Sequence, residues 1–193
     1  FLGAAAASST GITISNNTIG AAATLTTYPY TTPTTSVYVK GIFVQGTTAV
    51  TITNNTVQNI LSYISGSPSG IELNANIGTG AIIVSGNTVS GVAYNGTTST
   101  TAKGINIVNA GAPYTVSNNI IRNIRAFGGS GNQPQGINLA TSAASAIVEN
   151  NEVSTVYNHS TATWGSWGIN LNGGNNITVR NNFVSDINQD ITA

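Results

Sequence analysis

Residues 50–57, VTITNNTV, contain the pattern that decides the fold: β-branched residues alternate with polar ones and lead into a pair of asparagines. Five further segments repeat this pattern: ITISNNTI at 12–19, IIVSGNTV at 82–89, YTVSNNII at 114–121, AIVENNEV at 146–153 and ITVRNNFV at 177–184. The second residue of the pair stands at positions 17, 55, 87, 119, 151 and 182, so successive positions differ by 38, 32, 32, 32 and 31. A nearly fixed period of this length is typical of a solenoid, in which each repeat packs on the next.

A second marker keeps nearly the same period. The segment Gly-Ile-x-Val/Leu/Ile precedes five of the six pairs, with its glycine at positions 41, 70, 104, 136 and 168. We therefore divide each repeat into three short strands: one with the Gly-Ile segment, one before the asparagine pair and one after it. The aliphatic residues of each strand share one face. Strands this short bury that face only when successive repeats stack, so the sequence predicts one continuous aliphatic column.

The asparagine pair forms the corner between the second and third strands. Its first position is Asn in five repeats and Gly86 in the other. Both residue types adopt positive φ at little cost, so we expect a left-handed bend there. Its second position is Asn in every repeat, and stacked amides can donate to and accept from one another. We predict a structural ladder formed by Asn17, Asn55, Asn87, Asn119, Asn151 and Asn182.

The ends of the chain differ from the inner repeats. The first repeat lacks the Gly-Ile segment, and the Ala-rich residues 1–9, FLGAAAASS, are a candidate for part of a capping helix. Otherwise neither end shows such a cap, and an uncovered coil end presents unpaired backbone groups. We therefore expect residues 1–193 to form a single β-helix domain that is a segment of a longer chain, or whose open coil ends contact other protein chains.

Composition excludes several classes of function. The chain has five basic and five acidic residues and no net charge, so it lacks the field that attracts nucleic acids or anionic membranes. Cysteine is absent, which excludes disulfides, thiolate metal sites and thiol nucleophiles. The carboxylates are too few for an oxygen-ligand metal cage, and no apolar run reaches the ~20 residues of a membrane helix. We expect no metal, no cofactor, no nucleic-acid partner and no membrane insertion.

The repeated GI-x-[LIV] and [IV]-x-[IV]-x-N-N-x-[IV]-x-x-[IV] elements resemble the right-handed parallel β-helix superfamily, the pectate-lyase-like fold. This resemblance covers nearly the whole chain. It implies an all-β, right-handed parallel β-helix of about six coils, with a repeat period of about 32 and an Asn ladder. The abundance of Thr, Asn and Gly is also similar to that of secreted and surface β-helix repeat proteins of bacteria. Because this fold hosts lyases, glycosidases, adhesins and spacers, it does not select a function.

Two sets of residues are candidates for contact with a glycan. Aromatic rings bind the apolar faces of sugars, and we expect those after the third strands to lie along one edge: Tyr63, Tyr94, Phe127 and Tyr157, with Trp164 and Trp167 in the last loop and Tyr28, Tyr30 and Tyr38 in the first. The outward residues of three Gly-Ile strands could bond the hydroxyls of a polymer: Asn106, Asn138 and Asn170. The alternatives are that the rings pack loops against the solenoid and that these asparagines form a second amide ladder.

Catalytic groups are scarce. Acid–base catalysis needs two carboxylates, or a carboxylate and a base, at short range. The acids are Glu72, Glu149, Glu152, Asp186 and Asp190, and their registers bring no two of them clearly together. Glu149 and Arg180 stand one repeat apart in the same column and are expected to form a cross-strand ion pair. The resemblance implies calcium-binding Asp clusters with a Lys or Arg base in lyases, and several Asp with a His in glycosidases. The sequence has neither grouping, so we assign no catalytic residue and expect His159 to be a surface residue.

We expect a non-catalytic β-helical segment of a secreted or cell-surface bacterial protein: an adhesin, filament or spacer, with glycan contact as an option. A polysaccharide lyase or glycosidase-like enzyme, or a carbohydrate-binding remnant of one, is the alternative. Ice binding is a minor alternative, because one outward column of the second strands is rich in threonine: Thr13, Thr51, Ile83, Thr115, Ile147 and Thr178. The neighbouring column ends in the charged residues Glu149 and Arg180, which weakens that interpretation.

Overall fold

The protein is a parallel β-solenoid built from three sheets of six strands each. The computed structural model describes residues 2–9, 11–20, 39–47, 49–63, 66–77, 80–110, 113–127, 132–140, 145–159 and 165–189. Sheet A contains β1 (Leu2–Ser9), β4 (Lys40–Thr47), β7 (Ser69–Ile77), β10 (Lys103–Ala110), β13 (Gln135–Ala140) and β16 (Trp167–Leu171). Sheet B contains β2 (Ile12–Ser15), β5 (Val50–Thr53), β8 (Ile82–Ser85), β11 (Tyr114–Ser117), β14 (Ala146–Glu149) and β17 (Ile177–Arg180). Sheet C contains β3 (Thr18–Ile19), β6 (Thr56–Ser62), β9 (Thr88–Tyr94), β12 (Ile120–Phe127), β15 (Glu152–His159) and β18 (Phe183–Gln189).

The chain passes from sheet A to sheet B to sheet C and then begins the next coil. Each coil therefore contributes one strand to every sheet, from the first coil (β1–β3) to the sixth (β16–β18). Neighbouring strands pair in parallel at the repeat spacing; for example, Val84, Val116 and Val148 align in sheet B. The predicted all-β solenoid and its register are confirmed.

The inward aliphatic side chains of the three sheets form a single core along the solenoid axis. Four inner coils lie between two terminal coils, and their inward residues are buried, with Val116 among those that are 0% exposed. In the last coil the core is uncovered on one side, and Val179, which continues the column of Val116, is 44% exposed. The core is therefore made by contacts between coils, as expected for strands too short to bury their own apolar face.

The corner between sheets B and C has the predicted left-handed backbone and amide ladder. The first residue of the pair has φ between 54° and 66° in every repeat: Asn16, Asn54, Gly86, Asn118, Asn150 and Asn181. In the fourth coil, the backbone N–H and the side-chain Nδ2 of Asn119 donate to Asn151 Oδ1 at 3.1 and 3.0 Å. The same amide also donates to the carbonyl oxygen of Val84 at 2.9 Å. Equivalent bonds link all six ladder asparagines, from Asn17 to Asn182.

A second left-handed position lies inside the sheet C strands, and it was not predicted from the sequence. Four positions after each of the last five ladder asparagines, φ is between 53° and 67°: Asn59, Gly91, Asn123, Thr155 and Asp186. The register between neighbouring strands is the same before and after these residues, so the sheet C strands bend together at this position. The bend explains why the inward aliphatic residues of the third strand are three positions apart rather than two. Asn and Gly at this position were the available sequence signal.

The first coil corrects an expectation about the N-terminus. Residues 2–9 form neither a helix nor a gap in sheet A; they form β1, which pairs with β4 through Leu2 and Ile42 and through Ala4 and Val44. The edge of β4 would otherwise present unpaired N–H and C=O groups. Pairing with that edge satisfies these groups, and it outweighs the helical propensity of the alanines.

The glycine of the Gly-Ile segment is required by a close approach between sheets A and C. A Cβ atom added at Gly104 would lie 2.5 Å from the carbonyl oxygen of Gly136 and 2.5 Å from Cγ2 of Ile121. Real Cβ atoms do not approach other atoms this closely, so a larger residue would push the two sheets apart. The marker that reveals the repeat in the sequence therefore reflects the narrow cross-section of the solenoid.

Candidate functional site

The predicted aromatic edge is not a single column, because the sheet C strands continue beyond their last aliphatic residue. Tyr94 is the last residue of β9 and aligns with Ser62 and Ala126, whose side chains point inward. Its side chain is 0% exposed, and its hydroxyl lies 2.6 Å from Oγ1 of Thr98 and accepts the Thr98 N–H. The prediction that Tyr94 lines an outer edge is wrong, and its ring is part of the core.

The other predicted aromatic residues lie at different registers. Phe127 aligns with His159 and Tyr157 with Arg125, and the rings of Phe127, Tyr157 and His159 form a small cluster with centroid distances of 5.9 and 6.0 Å. Tyr63 follows β6 and is half-buried. Trp167 begins β16 on sheet A and is exposed. Trp164, Tyr28, Tyr30 and Tyr38 lie outside the described residues.

The three outward asparagines of sheet A form the second amide ladder that the sequence left open. Asn138 Nδ2 donates to Asn106 Oδ1 at 2.7 Å, and Asn170 Nδ2 donates to Asn138 Oδ1 at 2.9 Å. Asn106 Nδ2 in turn donates to Glu72 Oε2 at 3.0 Å. Asn106 and Asn138 are only 3% and 4% exposed, so this ladder is not a solvent-facing one. Contact of these asparagines with a glycan stays a prediction.

A buried ion pair stands at the start of this second ladder. Lys40 Nζ lies 2.5 Å from Glu72 Oε2 and also donates to the carbonyl oxygen of Ser67 at 2.6 Å. The hydroxyl of Ser69 donates to the same carboxylate oxygen at 2.7 Å. Burial raises the pKa of Glu72, but the charge of Lys40 and the hydrogen bonds from Lys40, Asn106 and Ser69 outweigh it and hold that pKa below its ordinary value. Three donors converge on one carboxylate oxygen, so Glu72 is held as an anion.

A second lysine belongs to the same polar cluster. Burial lowers the pKa of Lys103, with the nearby negative charge of Glu72 opposing the shift and the positive charge of Lys40 adding to it. Lys103 lies in register with Ser69 and Gln135 in sheet A. This cluster was not predicted from the sequence. Its one signal was a charged residue beside the Gly-Ile segment in three repeats: Lys40, Glu72 and Lys103.

The remaining described acids lie on three other strands. Glu149 on β14 forms the predicted ion pair with Arg180, at 2.6 Å, and this pair is partly exposed to solvent. Glu152 begins β15 and Asp186 lies on β18. Asp186 accepts a hydrogen bond from Thr155 Oγ1 at 3.0 Å. Asp190 lies outside the described residues.

A groove on the outer face of sheet C is a candidate for ligand binding. It has a volume of about 420 Å³ and is lined by Asn59, Leu61, Gly91, Ala93, Asn95, Asn123, Arg125 and Phe127. We call it the sheet C groove. Leu61, Ala93 and Arg125 are consecutive in one column on the second, third and fourth coils. The small side chain of Ala93 therefore lies between two long ones and leaves a depression.

The described lining of the sheet C groove is more apolar than polar. Three asparagines and Arg125 supply its polar groups, and amides both donate to and accept from hydroxyl groups. Phe127 presents a half-buried ring beside them. Of the predicted glycan-contacting residues that the structure describes, Phe127 is the one that lines this groove. The groove was not predicted from the sequence, because it depends on the small residues Gly91 and Ala93 on one coil.

Across the described residues, no group of three or more His, Asp or Glu side chains is placed to hold a metal ion. The same residues include no helix long and apolar enough to cross a membrane. No protein-family model, no curated protein and no solved structure matches the chain.

Proposed function

We propose that this chain is a non-catalytic structural segment of a secreted or cell-surface bacterial protein that acts as an adhesin, filament or spacer. We also propose that its solenoid is a right-handed parallel β-helix of the pectate-lyase-like superfamily. The functional proposal rests on the contacts that the charged side chains make. Among the described residues, the ion pairs Lys40–Glu72 and Glu149–Arg180 each join neighbouring coils, so they hold the solenoid together.

The placement of the carboxylates supports this function over hydrolysis of a polysaccharide. Glycosidases place two carboxyl groups roughly 5–10 Å apart across the scissile bond. Here Glu72 is buried, and its carboxylate is bonded to Lys40, Ser69 and Asn106. A carboxylate enclosed in this way stabilises the fold and is poorly placed to reach a substrate.

Two experiments test the proposal. The purified chain is incubated with acidic and neutral polysaccharides while new reducing ends and unsaturated uronate products are measured, and we expect no turnover. Turnover that is lost in the Glu72→Gln or Glu152→Gln variant would support the lyase or glycosidase alternative instead. Antibodies against the chain should also label intact cells of the producing organism, and labelling only after permeabilisation would contradict a surface location.

Glycan contact is the second candidate, and the asparagines and Arg125 that line the sheet C groove favour it. It is compatible with a structural role, because an adhesin or spacer can hold a polymer without changing it. Ice binding stays a minor candidate through the outer face of sheet B, where the threonine-rich column includes Thr13, Thr51 and Thr178. A measurement of thermal hysteresis in the purified chain would test it.

A further inference from the structure

We propose that Asn172 is a modification site, at which water slowly converts the side-chain amide into a carboxylate or into an isoaspartyl linkage, and that the fold protects Asn95 from the same reaction. The full chain contains an Asn-Gly pair at each of these positions, 95–96 and 172–173. Both asparagine side chains are exposed. The difference between the two sites therefore comes from the backbone that follows each asparagine.

The reaction begins when the backbone nitrogen of the following residue attacks Cγ of the asparagine. That nitrogen loses its proton, the new C–N bond closes a five-membered imide ring, and the Cγ–Nδ2 bond breaks to release ammonia. Water then adds to one of the two ring carbonyls and opens the ring. Opening at Cγ gives aspartate, whereas opening at the main-chain carbonyl gives isoaspartate, whose backbone passes through Cβ and Cγ. Glycine at the following position favours the attack, because no Cβ atom crowds its nitrogen.

The backbone after Asn172 is free to reach the geometry of this attack. Asn172 follows β16, in the corner that leads to β17 of the last coil. Its own N–H is held by the carbonyl oxygen of Leu139 at 2.8 Å. Beyond it, Gly173 and Gly174 are both exposed and have φ of 103° and 101°. Two glycines in succession let the nitrogen of Gly173 approach Cγ to the reactive separation of about 3–3.5 Å.

The second Asn-Gly pair is held in place by packing. Gly96 is buried, and a Cβ atom added there would lie 2.4 Å from the hydroxyl oxygen of Tyr94 and 2.5 Å from the carbonyl oxygen of Tyr63. The Tyr94 hydroxyl also lies 2.6 Å from Oγ1 of Thr98 and accepts the Thr98 N–H at 3.1 Å, which closes the loop around Gly96. The nitrogen of Gly96 has little space in which to approach Cγ of Asn95, so this loop must open before the reaction occurs there.

The two sites are compared within one molecule. The chain is incubated in water labelled with heavy oxygen, either folded or in concentrated urea, until the urea sample is labelled at both sites. Digestion with trypsin in ordinary water then separates the sites, because Asn95 lies in peptide 41–103 and Asn172 in peptide 126–180. Mass spectrometry counts the heavy oxygen in each peptide, so deamidation during digestion is not scored.

In urea we expect the two rates to agree within about twofold, since glycine follows both asparagines. In the folded chain Asn172 should react at least about tenfold faster than Asn95, which corresponds to a barrier lower by about 1.4 kcal/mol. Equal rates in the folded chain, or a folded chain that stays unlabelled at Asn172, would overturn the proposal.

Matched variants test each site separately. Asn172→Gln should remove the label from peptide 126–180, because a glutamine must close a larger and less favourable ring. Tyr94→Phe removes the hydroxyl that closes the loop around Gly96, and it should raise the rate at Asn95 at least about threefold while leaving Asn172 unchanged. Circular dichroism checks that each variant is folded. Label that persists in Asn172→Gln would place the reaction at another asparagine, and an unchanged rate at Asn95 in Tyr94→Phe would contradict its protection by the loop.

Reaction at Asn172 should also loosen the last coil. Isoaspartate adds one carbon atom to the backbone between β16 and β17, whereas aspartate adds only a negative charge to a chain with no formal net charge. We expect the amides of β16 and β17 to exchange with solvent about tenfold faster in the isoaspartyl form, and less than about twofold faster in Asn172→Asp, than in the fresh chain. Equal exchange in the isoaspartyl and fresh chains would show that the modification leaves the coil intact, against this expectation.

Discussion

Thr155 lies in a backbone conformation that other coils give to Asn or Gly. Its φ of 55° is close to the 57° of Asn123 at the same register of the preceding coil. For a β-branched residue this region is strained, whereas Asn tolerates it. We expect Thr155→Asn to relieve this strain and to raise the free energy of unfolding by about 1 kcal/mol. The exposed hydrogen bond to Asp186 that the variant loses contributes little.

Urea unfolding followed by circular dichroism measures this effect. The reverse substitution in the neighbouring coil, Asn123→Thr, is the matched control and should lower the free energy of unfolding by a similar amount. A stabilised Asn123→Thr variant would show that this left-handed position does not strain a β-branched residue.

Glu72 gives the protein a stabilising interaction that depends on pH. Its pKa is lower in the folded chain than its ordinary value of 4.5, because Lys40 and three hydrogen bonds outweigh the effect of burial. A carboxyl with a lowered folded pKa stabilises the fold at pH values above the unfolded pKa. That stabilisation decreases as the pH falls from about 4.5 through the folded value, since the unfolded chain then binds the proton more readily.

We therefore expect Glu72→Gln to destabilise the fold at neutral pH by about 3 kcal/mol, since it removes the carboxylate that contacts the buried Lys40. The variant should also lose less stability than the wild type when the pH is lowered from 6 towards 3, a range of about three units around the carboxyl pKa. Thermal unfolding across this range measures both effects. Glu149→Gln, in the partly exposed pair, serves as the control and should change neutral stability by less than about 1 kcal/mol. If the wild type and Glu72→Gln lost the same stability over this pH range, the assignment of a lowered pKa to Glu72 would be contradicted.

At the scale of the element, the corner between sheets B and C depends on its inward amide. Asn119 is completely buried, donates to Val84 and Asn151, and accepts two hydrogen bonds from Asn87. Asn119→Ala would leave several buried backbone and amide groups unsatisfied, each at a cost of about 1–3 kcal/mol. We expect the free energy of unfolding to fall by about 3 kcal/mol or more.

The neighbouring residue Asn118 provides the control for this prediction. It is exposed and has φ of 55°, so Asn118→Gly keeps the bend and should alter stability by less than about 1 kcal/mol. Chemical unfolding of both variants compares the two positions of one corner. Equal effects would mean that the ladder contributes no more than the turn itself.

The sequence predicts these elements well wherever a repeat fixes both the period and the inward face. Two markers with nearly the same period allow one alignment of the coils, and this alignment fixes the strands, the core and the ladder. Residues beyond the last aliphatic position of each third strand have no such marker. Whether Tyr94 continues a strand depends on pairing with β6 and β12, and continued alternation points its ring inward. The same dependence on a neighbouring edge makes residues 2–9 a strand.

The candidate sites were less predictable than the strands. The register pairs Lys40 with Ser69, so its contact with Glu72 depends on long side chains that cross several positions. The sheet C groove depends on the absence of side chains at Gly91 and on a methyl group at Ala93. Patterns based on large or charged residues do not reveal a space between them.

At the scale of the whole molecule, the described strands of each coil pack against those of the coils on either side of it. The strongest contacts in every sheet join consecutive coils, and the core continues from one to the next. The stability of such a solenoid is close to a sum of coil and interface contributions. A coil covered on one side is therefore stabilised by one interface, whereas a coil covered on both sides is stabilised by two.

Val116 and Val179 test this in one column of sheet B. Val116 is 0% exposed between its neighbours, whereas Val179 in the last coil is 44% exposed. Val116→Ala should lower the free energy of unfolding by about 2 kcal/mol, because it removes buried methyl groups and leaves a cavity, and Val179→Ala should cost less than about 1 kcal/mol. Amide hydrogen exchange should agree, with β17 and β18 exchanging before β11 and β12. If both substitutions cost the same, the last coil is packed as tightly as an inner one, and the additive description of the solenoid fails.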